Sequence, residues 1–252
     1  MDDQKLNILI VDDDNVQLLL MKELLLHYPV KVTTEINSAL VLQRLEADNY
    51  DLVLTDVQMP VKGGFELVKQ IRQHTSPVIN ALPVIALSGK RDLSAEDYLS
   101  RGFTAHHTKP VQLEQLLELV TGIFSDNLPP DQVGHPEEKT SKSFYNLSSL
   151  SQFTYNDPES LKEILETFIV SAKENCNALR EAAFVNDTDT VAQLAHKMIP
   201  MLRQMEVHSI VQKLLPLEDR SIILTHNELS EYTEDVCGNV TKLCEKLEGE
   251  MV

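Results

Sequence analysis

Basic residues are scarce in this sequence of 252 residues: 22 Lys and Arg stand against 39 Asp and Glu, and the formal net charge is −17. A surface this acidic repels phosphate groups, so the charge argues against binding to nucleic acid or to an anionic membrane. It is compatible with metal cations and with basic partner surfaces. The charge therefore narrows the class of partner without naming one.

Cysteines are also scarce, and long apolar runs are absent. The three cysteines are odd in number and lack the close spacing of a metal site, so we expect small buried apolar residues in a reducing compartment. No stretch reaches the roughly 18 apolar residues that a transmembrane helix needs. The first residues, MDDQKLN, have neither the basic nor the apolar region of a secretory signal. We therefore expect a soluble, cytoplasmic polypeptide.

The first half of the sequence alternates between two periodicities. Short apolar runs predict strands, and amphipathic stretches between and after them predict helices. Such alternation indicates a parallel sheet covered by helices on both faces. The predicted strands are LNILIV, VKVTT, DLVLT, PVIAL and TAHHT, and the predicted helices are NVQLLLMKELLLH, SALVLQRLEA, FELVKQIRQH, AEDYLSRG and LEQLLELVTGIF.

The alternation of strands and helices ends before residue 125. Residues 125–143 hold three prolines and only two aliphatic residues, which predicts an extended or flexible linker. Beyond them apolar residues recur every three or four positions, and Asp157-Pro158 has the form of an N-cap followed by proline at the first helical position. The sequence thus predicts an α/β domain over residues 1–124, a linker over 125–143 and an all-α antiparallel helical bundle over 144–252.

Polar residues that could bind a ligand or react follow the predicted strands of the first half. Asp12 and Asp13 follow the first strand, Asp56 the third, Ser88 the fourth and Lys109 the fifth. Open parallel sheets bind ligands beyond the carboxyl ends of their strands, so we expect these side chains to converge. Three neighbouring carboxylates repel one another. A divalent cation such as Mg²⁺ would neutralise them and could also hold a phosphoryl group.

Four segments of the first half resemble the receiver domain of bacterial response regulators across residues 6–124: IVDDD, LTDVQMP, ALSG and HHTKP. The resemblance implies a flavodoxin-like five-stranded parallel sheet in which Asp56 accepts phosphoryl from a histidine kinase. It implies that Mg²⁺, or Mn²⁺ in its place, is bound directly by Asp13, Asp56 and the Gln58 backbone carbonyl, and through water by Asp12. It also implies that Lys109 and Ser88 contact the phosphoryl oxygens, and that the Lys109-Pro110 peptide bond is cis.

The same residues have simpler interpretations. Asp14 is expected to cap the first helix, Asp56 alone could cap the following turn, and Lys109 alone could be a surface residue. One position also departs from the receiver family. His106 stands three residues before Lys109, where the family usually has Tyr or Phe as an inward-swinging switch ring. The output switch of this domain is therefore left open.

One histidine of the second half has a setting that suggests chemistry. At about 100° per residue, the apolar stripe of its helix is centred near Val191, Ala195 and Leu202, so His196 is expected to project into solvent. Arg203 falls on nearly the same line. An exposed imidazole beside a guanidinium could receive a phosphoryl group. An exposed helical histidine alone is more often an ordinary surface residue.

The segment around this histidine, ENCNALREAAFVNDTDTVAQLAHKM, resembles the histidine-phosphotransfer (HPt) domain, and the resemblance covers about residues 144–252. That family is a four-helix bundle whose acceptor lies in an A-H-[KR] segment, which implies His196. The family's usual lysine and glycine, three and four residues later, are Ile199 and Pro200 here. Pro200 offers no N–H to the His196 carbonyl, so we expect a kink there, and Lys197 and Arg203 could replace the missing cation.

A receiver followed by an HPt domain is the order found at the C-terminus of hybrid sensor histidine kinases, and no kinase ATP-binding segment is recognisable here. The leading prediction is a phosphorelay protein and not an enzyme. It would take phosphoryl from a cognate sensor histidine kinase onto Asp56 and relay it through His196 to or from a receiver, including that of a downstream response regulator. A scaffold whose bundle serves only for docking stays open. An aspartate-nucleophile phosphatase is excluded, because the tripeptide that begins at Asp56 lacks the second carboxylate of an Asp-x-Asp pair.

Overall fold

The structure is a computed structural model that describes residues 5–26, 28–89, 93–109, 111, 116, 120, 145–219, 221 and 224–251. The chain divides into two compact units, Met1–Lys139 and Thr140–Val252. The predicted linker, Pro110 with its predicted cis bond, and all of the helix predicted over 113–124 except Leu116 and Val120 lie outside the described residues.

A five-stranded parallel sheet forms the centre of the first unit. Its strand order is β2-β1-β3-β4-β5, the doubly wound order of flavodoxin-like folds. The strands are β1 (Leu6–Val11), β2 (Val30–Glu35), β3 (Leu52–Asp56), β4 (Val84–Ser88) and β5 (Ala105–Thr108). The five strand predictions are confirmed to within one residue at each end. Every residue of β3 and β4 is buried, which is why these segments are almost continuously apolar.

Helices connect the strands of the first unit. The α-helices that the structure describes in full there are α1 (Asn15–Leu25), α2 (Val41–Ala47), α3 (Gly64–Arg72), α4 (Pro77–Ala81) and α5 (Ala95–Ser100). Asp14 caps α1 by accepting a hydrogen bond from the Val16 backbone N–H, as predicted. The short helix α4 was not predicted, because five residues are too few to show a helical period.

A glycine permits close packing beneath the end of β3. A Cβ atom on Gly64, the first residue of α3, would lie 2.5 Å from the Asp56 carbonyl oxygen and 2.9 Å from the Val57 Cα. The Gly64 N–H also donates to the Val57 carbonyl oxygen at 2.9 Å. The start of α3 therefore rests directly on the backbone that carries Asp56.

We expect Gly64→Ala to lower the free energy of unfolding of the first unit by roughly 1–3 kcal/mol, because backbone atoms must move to admit the methyl group. Gly238→Ala is the matched control. Gly238 lies inside a long helix of the second unit with nothing within 4 Å of its Cβ position. That substitution should raise stability by about 0.5–1 kcal/mol through helix propensity. Denaturant unfolding of both variants, monitored separately for each unit, tests these two expectations. An unchanged or raised stability of Gly64→Ala would contradict the close packing at Gly64.

The second unit is helical. Its helices are α6 (Ser148–Phe153), α7 (Pro158–Phe184), α8 (Thr188–Gln204), α9 (His208–Glu218) and α10 (His226–Glu250). Helix α7 packs on α8 and α10, and α9 packs on the same two helices, so the four long helices close a ring of contacts. Asp157 caps α7 with Pro158 at its first position, as predicted. Among the described residues, no helix combines the length and apolarity needed to cross a membrane.

Candidate functional site

The predicted acidic site lies at the carboxyl edge of the sheet. β1 is hydrogen-bonded to β3, β3 to β4 and β4 to β5, so the ends of these strands are neighbours. Asp12 follows β1, Asp56 ends β3, Ser88 ends β4 and Lys109 follows β5. All four side chains are buried. The parallel topology thus brings together residues that lie up to 97 positions apart in the sequence.

Lys109 is the cation of this site. Its Nζ donates a hydrogen bond to Asp12 Oδ2 at 2.6 Å and lies 3.0 Å from Asp56 Oδ1. Asp12 is further held by its other oxygen, which accepts a hydrogen bond from the Asp14 backbone N–H at 3.0 Å. One lysine therefore joins two buried carboxylates, and both oxygens of Asp12 are already engaged.

The carboxylates could also hold a divalent cation. One oxygen from each of Asp12, Asp13 and Asp56 lies within 4.8 Å of the other two, and Asp13 is less buried than its neighbours. Asp56 Oδ1 is buried, and although Lys109 is near, no described group is aligned to donate it a hydrogen bond. A buried anionic oxygen that lacks an aligned donor, among three carboxylates, is the kind of ligand set that a hard cation such as Mg²⁺ takes. The residues present fit the predicted metal.

Burial and the neighbouring charges set the protonation of this cluster. Burial raises the pKa of Asp56 to about 6; Lys109 opposes this change and Asp12 adds to it. For Lys109, burial by itself lowers the pKa, but Asp12 and Asp56 outweigh it and the net pKa is raised. At neutral pH the site therefore holds a charged lysine among carboxylates, with Asp56 ionised but poorly solvated.

Without metal, we expect Asp56→Asn to raise the free energy of unfolding of the first unit by about 1–3 kcal/mol at neutral pH. The folded pKa of Asp56 lies above its ordinary value of 3.8, so the folded state binds the proton more tightly. Ionised Asp56 therefore destabilises the fold above about pH 6, and the penalty disappears below its ordinary pKa. The gain should accordingly vanish as pH falls towards 4. Chemical denaturation in EDTA across this range tests it, and an Asn variant less stable at every pH would contradict the burial argument.

The other predicted site residues lie near this cluster. Ser88 is buried at the end of β4, and its carbonyl oxygen accepts a hydrogen bond from the Lys109 N–H at 2.7 Å. Gln58, the predicted carbonyl ligand, is exposed two residues after Asp56. Val61, further along this loop, is 97% exposed with φ 66°, a strained conformation for a β-branched residue.

His106 lies where the resemblance to receiver domains implies a switch aromatic, and its ring has a partner that the sequence did not predict. Its ring stacks on that of Tyr98, with centroids 4.0 Å apart and an interplanar angle of 7°. Burial, and next the neighbouring His107, lower the pKa of His106, which favours the neutral ring. Only tertiary packing between α5 and β5 brings these two rings together.

His196 lies on α8, as predicted, but it does not project freely into solvent. Its side chain is only 16% exposed, and its Nδ1 lies 2.6 Å from Glu218 Oε1 at the end of α9. The prediction of an exposed imidazole is therefore wrong. A helical projection locates a side chain relative to its own helix and cannot show what a neighbouring helix brings beside it.

The helix that carries His196 is continuous through Pro200. Since Pro200 has no N–H, the His196 carbonyl lacks its usual helical donor. Arg203, expected beside His196, is half-buried in the last turn of α8, and Lys197 is also half-buried. The contact described for the His196 ring is with an acidic residue, where the sequence suggested basic ones.

Comparison with known proteins classifies the first unit. Residues 8–121 match the family model of the response regulator receiver domain. The sensor protein EvgS of Escherichia coli (strain K12) is 27% identical over 256 residues, which cover 96% of this chain and 20% of EvgS. The sensor histidine kinase GacS of Pseudomonas protegens is 26% identical over 240 residues, covering 88% of this chain and 26% of GacS. The receiver domain of sensor histidine kinase PA1611 from Pseudomonas aeruginosa PAO1 aligns with 48% of this chain and 99% of its own at 22% identity, with a TM-score of 0.44.

Residues 8–121 thus correspond to a response regulator receiver domain. The chain is similar to both sensor proteins and spans about a fifth to a quarter of their length.

Proposed function

We propose that this chain is a two-site phosphorelay protein in which Asp56 and His196 carry the phosphoryl group in turn. Asp56 accepts phosphoryl from a phosphohistidine of a sensor histidine kinase. His196 then receives it from a receiver aspartate and delivers it to the receiver of a downstream regulator, or the reverse. The observation that carries the proposal is the buried Asp56–Lys109–Asp12 cluster at the carboxyl edge of a receiver domain.

The chemistry at Asp56 is nucleophilic substitution at phosphorus. An Asp56 carboxylate oxygen forms the new O–P bond while the N–P bond of the donor phosphohistidine breaks, and the electron pair returns to the imidazole. Lys109 would pair with the incoming phosphoryl oxygens, and the Ser88 hydroxyl would donate a hydrogen bond to one of them. Because the donor is already activated, the protein needs mainly to position the groups and to balance charge.

We propose Mg²⁺ as the ion of this site, with Mn²⁺ as a substitute. Asp13, Asp56 and the Gln58 carbonyl would bind it directly, and Asp12 through water. The last assignment agrees with the engagement of both Asp12 oxygens by Lys109 and the Asp14 N–H. When bound, the ion would supply positive charge that offsets the carboxylates and the phosphoryl oxygens.

The second half is proposed to be an HPt domain over residues 144–252, joined to the receiver by the linker 125–143. Four helices in a ring and His196 on α8 support this proposal. The homology to EvgS and GacS over most of the chain favours a place within a hybrid sensor kinase, on the cytoplasmic side of the membrane. We propose that this segment contacts neither nucleic acid nor the membrane.

One alternative has its own support. Pro200 within α8 and the limited exposure of His196 would suit a bundle that serves only as a docking module. In that case Asp56 is phosphorylated but His196 never carries phosphoryl. The two proposals differ in one measurable step, the transfer of phosphoryl to His196.

Transfer between two full-length variants tests that step. His196→Gln is phosphorylated on Asp56 with acetyl phosphate and Mg²⁺, freed of donor, and mixed with Asp56→Asn. The relay predicts that acid-labile, alkali-stable phosphoryl appears on His196 of the Asp56→Asn chain. A chain carrying both substitutions is the control and should acquire none. If His196 takes no phosphoryl either from this donor or from phosphoramidate, the bundle is a docking module.

A further inference from the structure

The Glu218 carboxylate lies within hydrogen-bonding distance of the His196 ring. Glu218 is the last residue of α9, and α9 packs on α8. Its Oε1 lies 2.6 Å from His196 Nδ1, and each side chain is 16% exposed. The short distance and the partial burial are those of a strong hydrogen bond that solvent screens only in part.

This contact determines which ring nitrogen holds the proton. An ionised carboxylate can only accept a hydrogen bond, so Nδ1 must donate. In a neutral imidazole the other nitrogen, Nε2, then carries the lone pair. Of the two nitrogens, Nε2 is therefore the one prepared for attack on phosphorus.

Glu218 is unfavourable for the helix that carries it. A negative charge at the C-terminal end of a helix opposes the helix dipole, and the last turn of α9 contains no basic residue to offset it. Partial burial of the carboxylate adds a desolvation penalty. The hydrogen bond with His196 offsets part of these costs.

We propose that Glu218 is a positioning residue for phosphoryl transfer, which holds the proton on His196 Nδ1 and so directs phosphoryl to Nε2. The inference rests on the proposed function of His196. In the step, the Nε2 lone pair forms the N–P bond while the O–P bond to the donor aspartate breaks, and its electron pair returns to that carboxylate. The ring keeps its Nδ1 proton and becomes positively charged, and Glu218 balances that charge.

The proton position is measurable without any phosphotransfer. In ¹⁵N NMR of the full chain at about pH 8, where an ordinary imidazole is neutral, His196 should be in the Nδ1–H form. In Glu218→Ala the ring loses its acceptor, and its signals should move towards exchange between the two forms. A wild-type ring with its proton on Nε2 would overturn the inference, whatever the outcome of labelling.

The rate of His196 phosphorylation measures the effect of Glu218 on phosphoryl transfer. With phosphoramidate and an Asp56→Asn background, Glu218→Ala should slow phosphorylation of His196 by roughly 10- to 100-fold. Glu218→Gln, which keeps a carbonyl oxygen as acceptor but no charge, should restore part of the rate. In the Asp56→Asn chain that retains Glu218, phosphoryl should be on Nε2 of His196, identified by ³¹P–¹⁵N correlation.

Glu181→Gln is the matched control. Glu181 is an exposed acidic residue in the last turn of α7, and its loss should leave the rate unchanged. If the Glu218 variants are labelled as fast as their parent, or if phosphoryl is on Nδ1, the role of Glu218 is refuted while His196 remains an acceptor. If no chain is labelled on His196, the proposed function fails instead, and the NMR result still decides the proton position.

Discussion

Asp56→Asn is expected to abolish phosphorylation of the receiver domain by acetyl phosphate. The substitution removes the carboxylate that attacks phosphorus and leaves the shape of the side chain, so the sheet should stay folded. Intact mass of the full chain after incubation with acetyl phosphate and Mg²⁺ should show one phosphoryl group on the parent chain and none on the variant. Asp48→Asn, at an exposed aspartate that follows α2, is the matched control and should be labelled like the parent.

The same labelling reports on the metal. Because three carboxylates must accept an incoming anionic phosphoryl group, the reaction should stop in EDTA and resume with Mg²⁺ or Mn²⁺. Asp13→Asn should reduce it strongly while the fold survives, since Asp13 is the least buried of the three. Undiminished labelling in EDTA would contradict the metal assignment and leave Asp56 as a metal-independent acceptor.

His196→Gln is expected to remove all phosphohistidine from the chain. Glutamine lacks the nucleophilic ring nitrogen but keeps a polar side chain that can still contact Glu218, so the helical unit should remain folded. After phosphoramidate treatment, acid-labile and alkali-stable phosphoryl should be found at residue 196 of the parent and should be absent from the variant. Asp56 should still be labelled in both.

His208→Gln is the control for this experiment. His208 is exposed at the first position of α9, and it should neither carry phosphoryl nor change the labelling of His196. Persistent phosphohistidine in His196→Gln would assign the acceptor to another histidine. Circular dichroism of each variant separates loss of the nucleophile from loss of the fold.

The sequence was sufficient for the receiver fold because its elements are marked locally. Because β3 and β4 are buried on both faces they are almost continuously apolar, and each ends on a polar residue. Proximity in a parallel sheet then follows from topology, so Asp12, Asp56 and Lys109 could be expected together from their positions alone. What stayed hidden were features without a period: the short α4, and the close approach of Gly64 to the β3 backbone.

The surroundings of the two histidines were beyond sequence reasoning for a physical reason. His196 and Glu218 are 22 residues apart on different helices, and their contact depends on how α8 and α9 pack. The stack of His106 on Tyr98 likewise depends on the seating of α5 against β5. Helical and strand periodicities give the direction of a side chain, and only the tertiary structure supplies its neighbour.

Site mapping of phosphoryl groups on the unaltered full chain is the most direct test of the central claim. The chain is incubated with phosphoramidate and Mg²⁺, and intact mass is followed by peptide mapping under acidic and alkaline conditions. A two-site phosphorelay protein should carry phosphoryl on Asp56 and on His196, and on no other histidine. Phosphoryl on Asp56 alone would contradict the relay and leave a receiver domain joined to a docking module.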